Sequence, residues 1–175
     1  MSVMPLSGDS RHACAPAAEP EATAHEFKQL AGSFLTGVAV TTAHDDGDDY
    51  GCTVSSLASV SLDPPLLMVC LDQRSTTLRA IERTGRFAVS LLARDPQAAR
   101  TALAFARPGQ DAFEQVDMVR LPSGLAVSPA AVAQAELVVR ERYEGGDHVI
   151  VLGTPVWVSV SDGDPLAYWR ARFLP

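Results

Sequence analysis

The stretch YGCTVSSLASVSLDPPLLMVCLDQRSTTLRAI, residues Tyr50 to Ile81, decides how this chain is read. It begins like a buried strand, yet it places hydroxyls at Thr53, Ser55, Ser56, Ser59 and Ser61, and a second group at Ser75, Thr76 and Thr77. Between the two groups, Pro64-Pro65 interrupts the run, and LLMVCL that follows is short and apolar without alternation. That pattern predicts a central strand covered on both faces. STTLRAIERTG then offers Ser75 as an N-cap, Leu78 and Ile81 one turn apart, and Gly85 past the end, which predicts a helix of one to two turns.

Outward from this stretch, strands dominate. FKQLAGSFL spaces Phe27, Leu30, Ala31 and Phe34 as on a helix, and it leads through Gly37 into the β-rich run VAVTT. AHDDGDDYG is a turn joining two antiparallel strands, because Asp and Gly tolerate left-handed backbone. RFAVSLL alternates Phe87, Val89 and Leu91 against Ala88, Ser90 and Leu92. Asp95 as N-cap with Pro96 at the first helical position opens a helix over RDPQAARTALAFA. The last third reads as AELVVRERY, a Gly145-Gly146 turn, a long strand DHVIVLGTPVWVSVS with a bulge at Gly153, a DGDP turn and LAYWRARF. Six or seven strands with two or three short helices predict a mainly β fold, a closed or nearly closed barrel with few exposed edges.

Residues 1–26 carry Ala, Pro and Glu with almost no large apolar side chain, so a flexible tail is expected there and one domain over 27–175. The net charge of −7 and the absence of any cluster of cations argue against nucleic acid or an anionic membrane as partner. Three cysteines without a CxxC pair indicate neither a disulfide framework nor a metal site, and no apolar run approaches the ~20 residues that span a bilayer. A cytoplasmic protein that acts on small molecules is the expectation.

The hydroxyl groups admit two readings. Thr and Ser suit the wet face of a strand. Small hydroxylated residues at alternate positions also let a flat, heteroatom-rich ring such as a flavin approach closely, with many directional partners. Composition does not choose between them. At Ser75-Thr76-Thr77, capping needs one hydroxyl, and the extra pair at the positive end of a helix favours a phosphate, with Arg74 and Arg107 as charge partners. His148 stands at a strand start after a glycine turn, and its position alone assigns it no role. There is no GxSxG elbow and no GxGxxG loop, so neither acyl transfer nor a doubly wound dinucleotide fold is supported.

In this order, FKQLAGSFLTGVAVTT, the Tyr50 to Ile81 stretch, RFAVSLL, Phe105-Ala106, EGGDHVIVLG and PLAYWRARF resemble the short-chain flavin reductases, the reductase components of two-component flavin monooxygenases. The resemblance runs from Phe27 to Phe173. It implies a homodimer of FMN-binding split β-barrels, Greek-key in type, that uses NADH or NADPH to reduce FMN or FAD and releases reduced flavin to a separate oxygenase or halogenase. By the same resemblance Thr36, Thr53, Val54, Ser55, Ser56, Leu57 and Ser59 line the ring and ribityl chain. Ser75, Thr76 and Thr77 hold the phosphate, Phe105 and Arg107 border the flavin, and Tyr168 and Arg170 lie near the same cleft. His148 of the GDH motif meets the nicotinamide and is the catalytic candidate. The chain departs from the family pattern at Leu57 (usually Phe), Ser90 (usually Asn), Ala171 (usually Gly) and Phe173 (usually Tyr). The alternative is a flavin-binding carrier or sensor of the same fold without turnover.

Overall fold

A computed structural model of the protein describes residues 21–107 and 111–174. Most of the tail expected over residues 1–26 lies outside the described residues. From Thr23 the chain is helical in preparation: its hydroxyl accepts from the Glu26 amide and the Glu26 carboxylate accepts from the Thr23 amide, a reciprocal cap. Helix α1 (Ala24–Gly32) therefore starts before Phe27, and none of its residues is buried.

The chain continues through β1 (Thr36–Gly37), β2 (Ala39–Asp45) and β3 (Asp48–Val54). Asp46 and Gly47 both take positive φ, 51° and 87°, which is the twist a two-residue hairpin loop demands. After β4 (Ala58–Leu62) and β5 (Pro65–Asp72) comes α2 (Thr76–Thr84), capped by Ser75 and ended by Gly85 at φ 69°. Strand β6 (Arg86–Leu92) leads to α3 (Pro96–Phe105), whose amides at Gln97 and Ala98 are capped by Asp95. A short helix α4 (Ala112–Gln115) and the pair β7 (Val119–Arg120) and β8 (Ala126–Val127) follow. The long hairpin β9 (Ala131–Gly145) and β10 (His148–Val160) and the small one β11 (Ala167–Trp169) and β12 (Arg172–Phe173) complete the chain.

Seven strands form one antiparallel sheet in the order β3-β2-β6-β9-β10-β5-β4. One face of six of them, β2, β3, β5, β6, β9 and β10, meets Leu78, Ala80 and Ile81 of α2 in a single cluster with Phe87, Leu137 and Val151. The sheet thus curls around that helix, and each large apolar side chain buried there contributes about 1.5–3 kcal/mol. At the seam no ladder closes the curl. Instead the Ser56 hydroxyl, just past β3, donates to the Cys70 carbonyl and accepts from the Cys70 amide of β5, both at 3.0 Å. The result is a split β-barrel.

The bulge expected at Gly153 is present as a register shift between Leu152 and Gly153. A Cβ there would lie 2.9 Å from the ring of Phe87, so the core aromatic occupies the space that glycine leaves. One expectation is corrected. LLMVCL is not uniformly buried: within β5 only Val69 and Leu71 are, because one face meets α2 and the other is partly open. RFAVSLL alternates as expected, with both faces buried: Phe87, Val89 and Leu91 join the cluster around α2, whereas Leu92 packs with α3 and Ala88 packs with Leu121, Leu125 and Val127. The elements α4, β7 and β8 had no sequence signal, since runs of two to four residues are too short to show a period.

Candidate functional site

A cavity of about 1140 Å³ opens between the end of β3, the start of α2, the end of α3 and the β11–β12 hairpin. Sites for a single small ligand span roughly 300–1,000 Å³, so this one has room for two stacked rings.

Its floor is aromatic and glycine-lined. A Cβ on Gly51 would stand 2.5 Å from Cε1 of Phe105, and Phe105 meets Phe113 edge to face at 4.9 Å between ring centres. One wall is β3. Thr53, Val54 and Ser55 all line the cavity, but they differ in what is left to offer a ligand. Thr53 gives its hydroxyl to the Ala102 carbonyl at 2.6 Å. Ser55 is exposed, and no described protein group claims its hydroxyl. Ser56 is spent on the barrel seam, and Leu57 packs against the core around α2. Ser59 pairs with Leu67 in the outer ladder of β4. Neither Ser56, Leu57 nor Ser59 lines the cavity.

The opposite wall is the first turn of α2. Ser75, Thr76 and Thr77 line it as expected. Ser75 caps the Leu78 amide, Thr77 is buried, and Thr76 is exposed. The amides of Thr76 and Thr77 sit where no carbonyl of their own helix can reach them, so they face the cavity end as donors for an anion. Cys52 also lines the cavity, next to this turn. Burial pushes its thiol up to about 11, against the opposing hydrogen bonds of the Thr77 and Ser75 hydroxyls, so it stays protonated and is no nucleophile at neutral pH.

Charge on the rim is paired selectively. Arg74 binds both oxygens of Asp72, at 3.1 and 2.9 Å, and adds its own backbone amide at 2.8 Å. These hydrogen bonds hold the Asp72 carboxyl well below the usual range. Burial raises Asp49, but the Arg120 fork at 2.6 Å and His44 at 2.8 Å outweigh it and leave its carboxyl lowered. Arg107 lines the cavity and makes no ion pair with a described residue.

His148 does not line the cavity. It stands one strand away, directly across the ladder from Asp72, which does. Its Nδ1 meets the Asp147 carboxylate at 2.7 Å, and that hydrogen bond lowers Asp147. Thr36 is paired with Tyr168 across β1 and β11, and its buried hydroxyl has no partner among the described residues. Tyr168 lines the cavity, whereas Arg170 does not. Arg170 and Ala171 form the hairpin turn, at φ 48° and 60°, and the Arg170 guanidinium stacks on Trp169 with Cζ 4.4 Å from the ring centre. Arg172 and Phe173 take the cavity positions instead. A continuous strand would have set Tyr168, Arg170 and Arg172 on one face, and the turn breaks that parity. Sequence reasoning also missed Gly51 and Phe113, which no local pattern marks because their contacts cross the fold.

The donor set suits a flavin phosphate and ring edge: unclaimed hydroxyls at Ser55 and Thr76, free first-turn amides, two guanidiniums without an ion pair to a described residue, Arg107 and Arg172, and an aromatic floor. Among the described residues no three His, Cys, Asp or Glu side chains gather to hold a metal.

Comparison with known proteins accords with this geometry. Residues 31–175 match the flavin reductase like domain. The chain is 42% identical over 139 residues to the actinorhodin polyketide dimerase of Streptomyces coelicolor, covering 78% of this chain and 77% of that one. It is 41% identical over 157 residues to a flavin reductase (NADPH) of Lentzea aerocolonigenes, covering 86% and 89%. The solved structure of a Streptomyces globisporus NADH:FAD oxidoreductase in complex with NAD and FAD fragments superposes with a TM-score of 0.80 at 31% identity, covering 86% of this chain and 91% of the other.

Proposed function

The chain belongs to the flavin reductase-like family, and from that premise we propose that it is an NAD(P)H:flavin oxidoreductase that reduces FMN or FAD and supplies the reduced flavin to a partner monooxygenase or halogenase. The observation that carries this reading is the single cavity in which the α2 amides, the Ser55 and Thr76 hydroxyls and Arg107 converge. When flavin and nicotinamide are bound, the chemistry is hydride transfer from one ring to the other, and no side-chain base is needed for it.

The protein's part is to hold and orient. The α2 turn binds the phosphate through amides and hydroxyls, Ser55 and the β3 backbone meet the ring edge, and Phe105 on Gly51 floors the site and excludes water. His148, anchored by Asp147 next to Asp72, orients the nicotinamide end from the rim. Of the other expected contacts, the orphaned Thr36 hydroxyl supports a ligand beside Tyr168.

The active form is a homodimer. Support comes from apolar side chains left open: Phe27 and Leu30 on α1, Phe34 just past its end, Leu62 on β4, and Val156, Val158 and Val160 on β10. No helix among the described residues is long and apolar enough to cross a membrane, and the cytoplasm is the compartment this reading assigns.

Mixing the purified protein with reduced nicotinamide and free FMN tests the proposal. Many turnovers per protein are expected. Oxidation of at most one equivalent of nicotinamide would instead describe a flavin-binding carrier or sensor.

A further inference from the structure

One phosphate is accounted for at the start of α2 by amides and hydroxyls, and the cavity also holds guanidiniums that lie on other elements. Three arginines line it. Arg74 is neutralised by both oxygens of Asp72. Arg107, at the end of α3, and Arg172, on β12, make no ion pair with any described residue. Of the lining carboxylates, Asp49 is bound by Arg120 and His44, and Asp111 caps α4 by accepting from the Phe113 amide at 3.1 Å. In a chain of net charge −7, two guanidiniums without an ion pair on one cavity are donors available to an anion.

Arg172 is also held in place. Its Cζ lies 5.6 Å from the centre of the Trp169 ring, which faces it across the hairpin pair. The Trp169 Nε1 in turn donates to the Ser33 carbonyl at 3.1 Å, which anchors the ring to the end of α1. A stacked guanidinium keeps its fork of donors directed outward, and less freedom is lost when an anion binds.

We infer that Arg172, together with Arg107, forms a second anion subsite of this cavity, which binds a phosphate of a dinucleotide beyond the flavin's first. The inference rests on the reading of the cavity as the flavin and nicotinamide site. The shared chemistry is a phosphate group, from either of two sources: FAD itself, or the nicotinamide dinucleotide. FMN, with a single phosphate held at α2, does not use the subsite.

The test compares Arg172→Gln with the parent protein in two measurements: equilibrium binding of FMN and of FAD, and the KM for NADH and for NADPH at saturating FMN. In Arg172→Gln at least one dinucleotide affinity falls about tenfold or more, the size of a lost charge-assisted hydrogen bond, while FMN binding changes less than twofold. Loss confined to FAD assigns the subsite to the flavin dinucleotide. Loss for NADPH beyond that for NADH assigns it to the 2′-phosphate, and equal loss for both assigns it to the nicotinamide pyrophosphate. Arg172→Lys, which keeps the charge without the fork, shows the same change by a smaller factor and carries the test if the Gln variant does not fold. Unchanged values for all four ligands, or an FMN loss equal to that of FAD, overturn the inference. If the parent neither binds flavin nor oxidises nicotinamide, it is the proposed function that fails.

Discussion

Gly51 and Phe105 are in direct apposition: a methyl group on the glycine would lie 2.5 Å from Cε1 and 2.8 Å from Cδ1 of the ring. Phe105 is buried, and it is braced edge to face by Phe113. The aromatic floor of the cavity therefore depends on an absent side chain in the neighbouring strand. Gly51→Ala must push the ring toward the ligand space, at about 1–3 kcal/mol for overpacking. A lower melting temperature together with weaker FMN binding, read by flavin fluorescence, is the expected pair of results. Unchanged FMN affinity would show that the floor does not touch the flavin.

Neighbouring serines separate binding from folding. Ser56 uses its hydroxyl twice on the Cys70 backbone across the barrel seam, whereas Ser55 offers an unclaimed hydroxyl to the cavity. Ser56→Ala should lose about 1 kcal/mol of stability in urea unfolding, since one part-buried amide and one carbonyl lose their partner. Ser55→Ala should unfold as the parent does and bind flavin several-fold more weakly. A reversed pattern would exchange their roles.

Ala171 stands where the resembling family has glycine, and its φ of 60° explains the family's preference. The left-handed conformation disfavours a Cβ by about 1–2 kcal/mol, against about 0.4–1 kcal/mol for the greater freedom of glycine in the unfolded chain. Ala171→Gly is therefore expected to stabilise the protein by about 0.5–1 kcal/mol, measurable as a rise in melting temperature. A fall would mean that the turn is not strained.

Asp49 ties β3 to β7 through Arg120 and to β2 through His44. Its carboxyl is lowered in the folded state, so its contribution is present above the ordinary carboxylate value near 4 and is lost as pH falls through the lower folded value. Asp49→Asn should remove about 1 kcal/mol at pH 7, discounted because Arg120 is half exposed, and little near pH 2. Parallel stability curves for variant and parent between pH 7 and pH 2 would refute this linkage.

His148 stands on the rim and touches Asp147, not the cavity wall. His148→Ala should accordingly raise the KM for the nicotinamide severalfold while leaving flavin affinity close to that of the parent. Steady-state kinetics that show the opposite division would move this residue to the flavin side.

Much of the fold was legible because local chemistry and tertiary context agreed. Ser75 and Gly85 bounded α2, Asp95 and Pro96 opened α3, Asp46-Gly47 turned the first hairpin, and Gly153 marked its bulge. The family resemblance rested on motifs of the same kind, read in order along one chain. What the sequence by itself determined was thus the succession of strands, caps and turns, and the presence of small hydroxylated residues beside a helix start.

Only the tertiary structure decided which hydroxyls remain free. Thr53 and Ser56 spend theirs on backbone carbonyls that are 49 and 14 residues away in the chain, and Ser55 between them does not. It likewise exchanged Arg170 for Arg172 at the cavity, through two residues in left-handed backbone, and paired Arg74 while leaving Arg107 and Arg172 uncommitted. The physical reason is common to these cases. Propensity and capping act within a few residues, whereas the partner of a hydroxyl or a guanidinium is set by chain segments that meet only when the sheet has curled around α2.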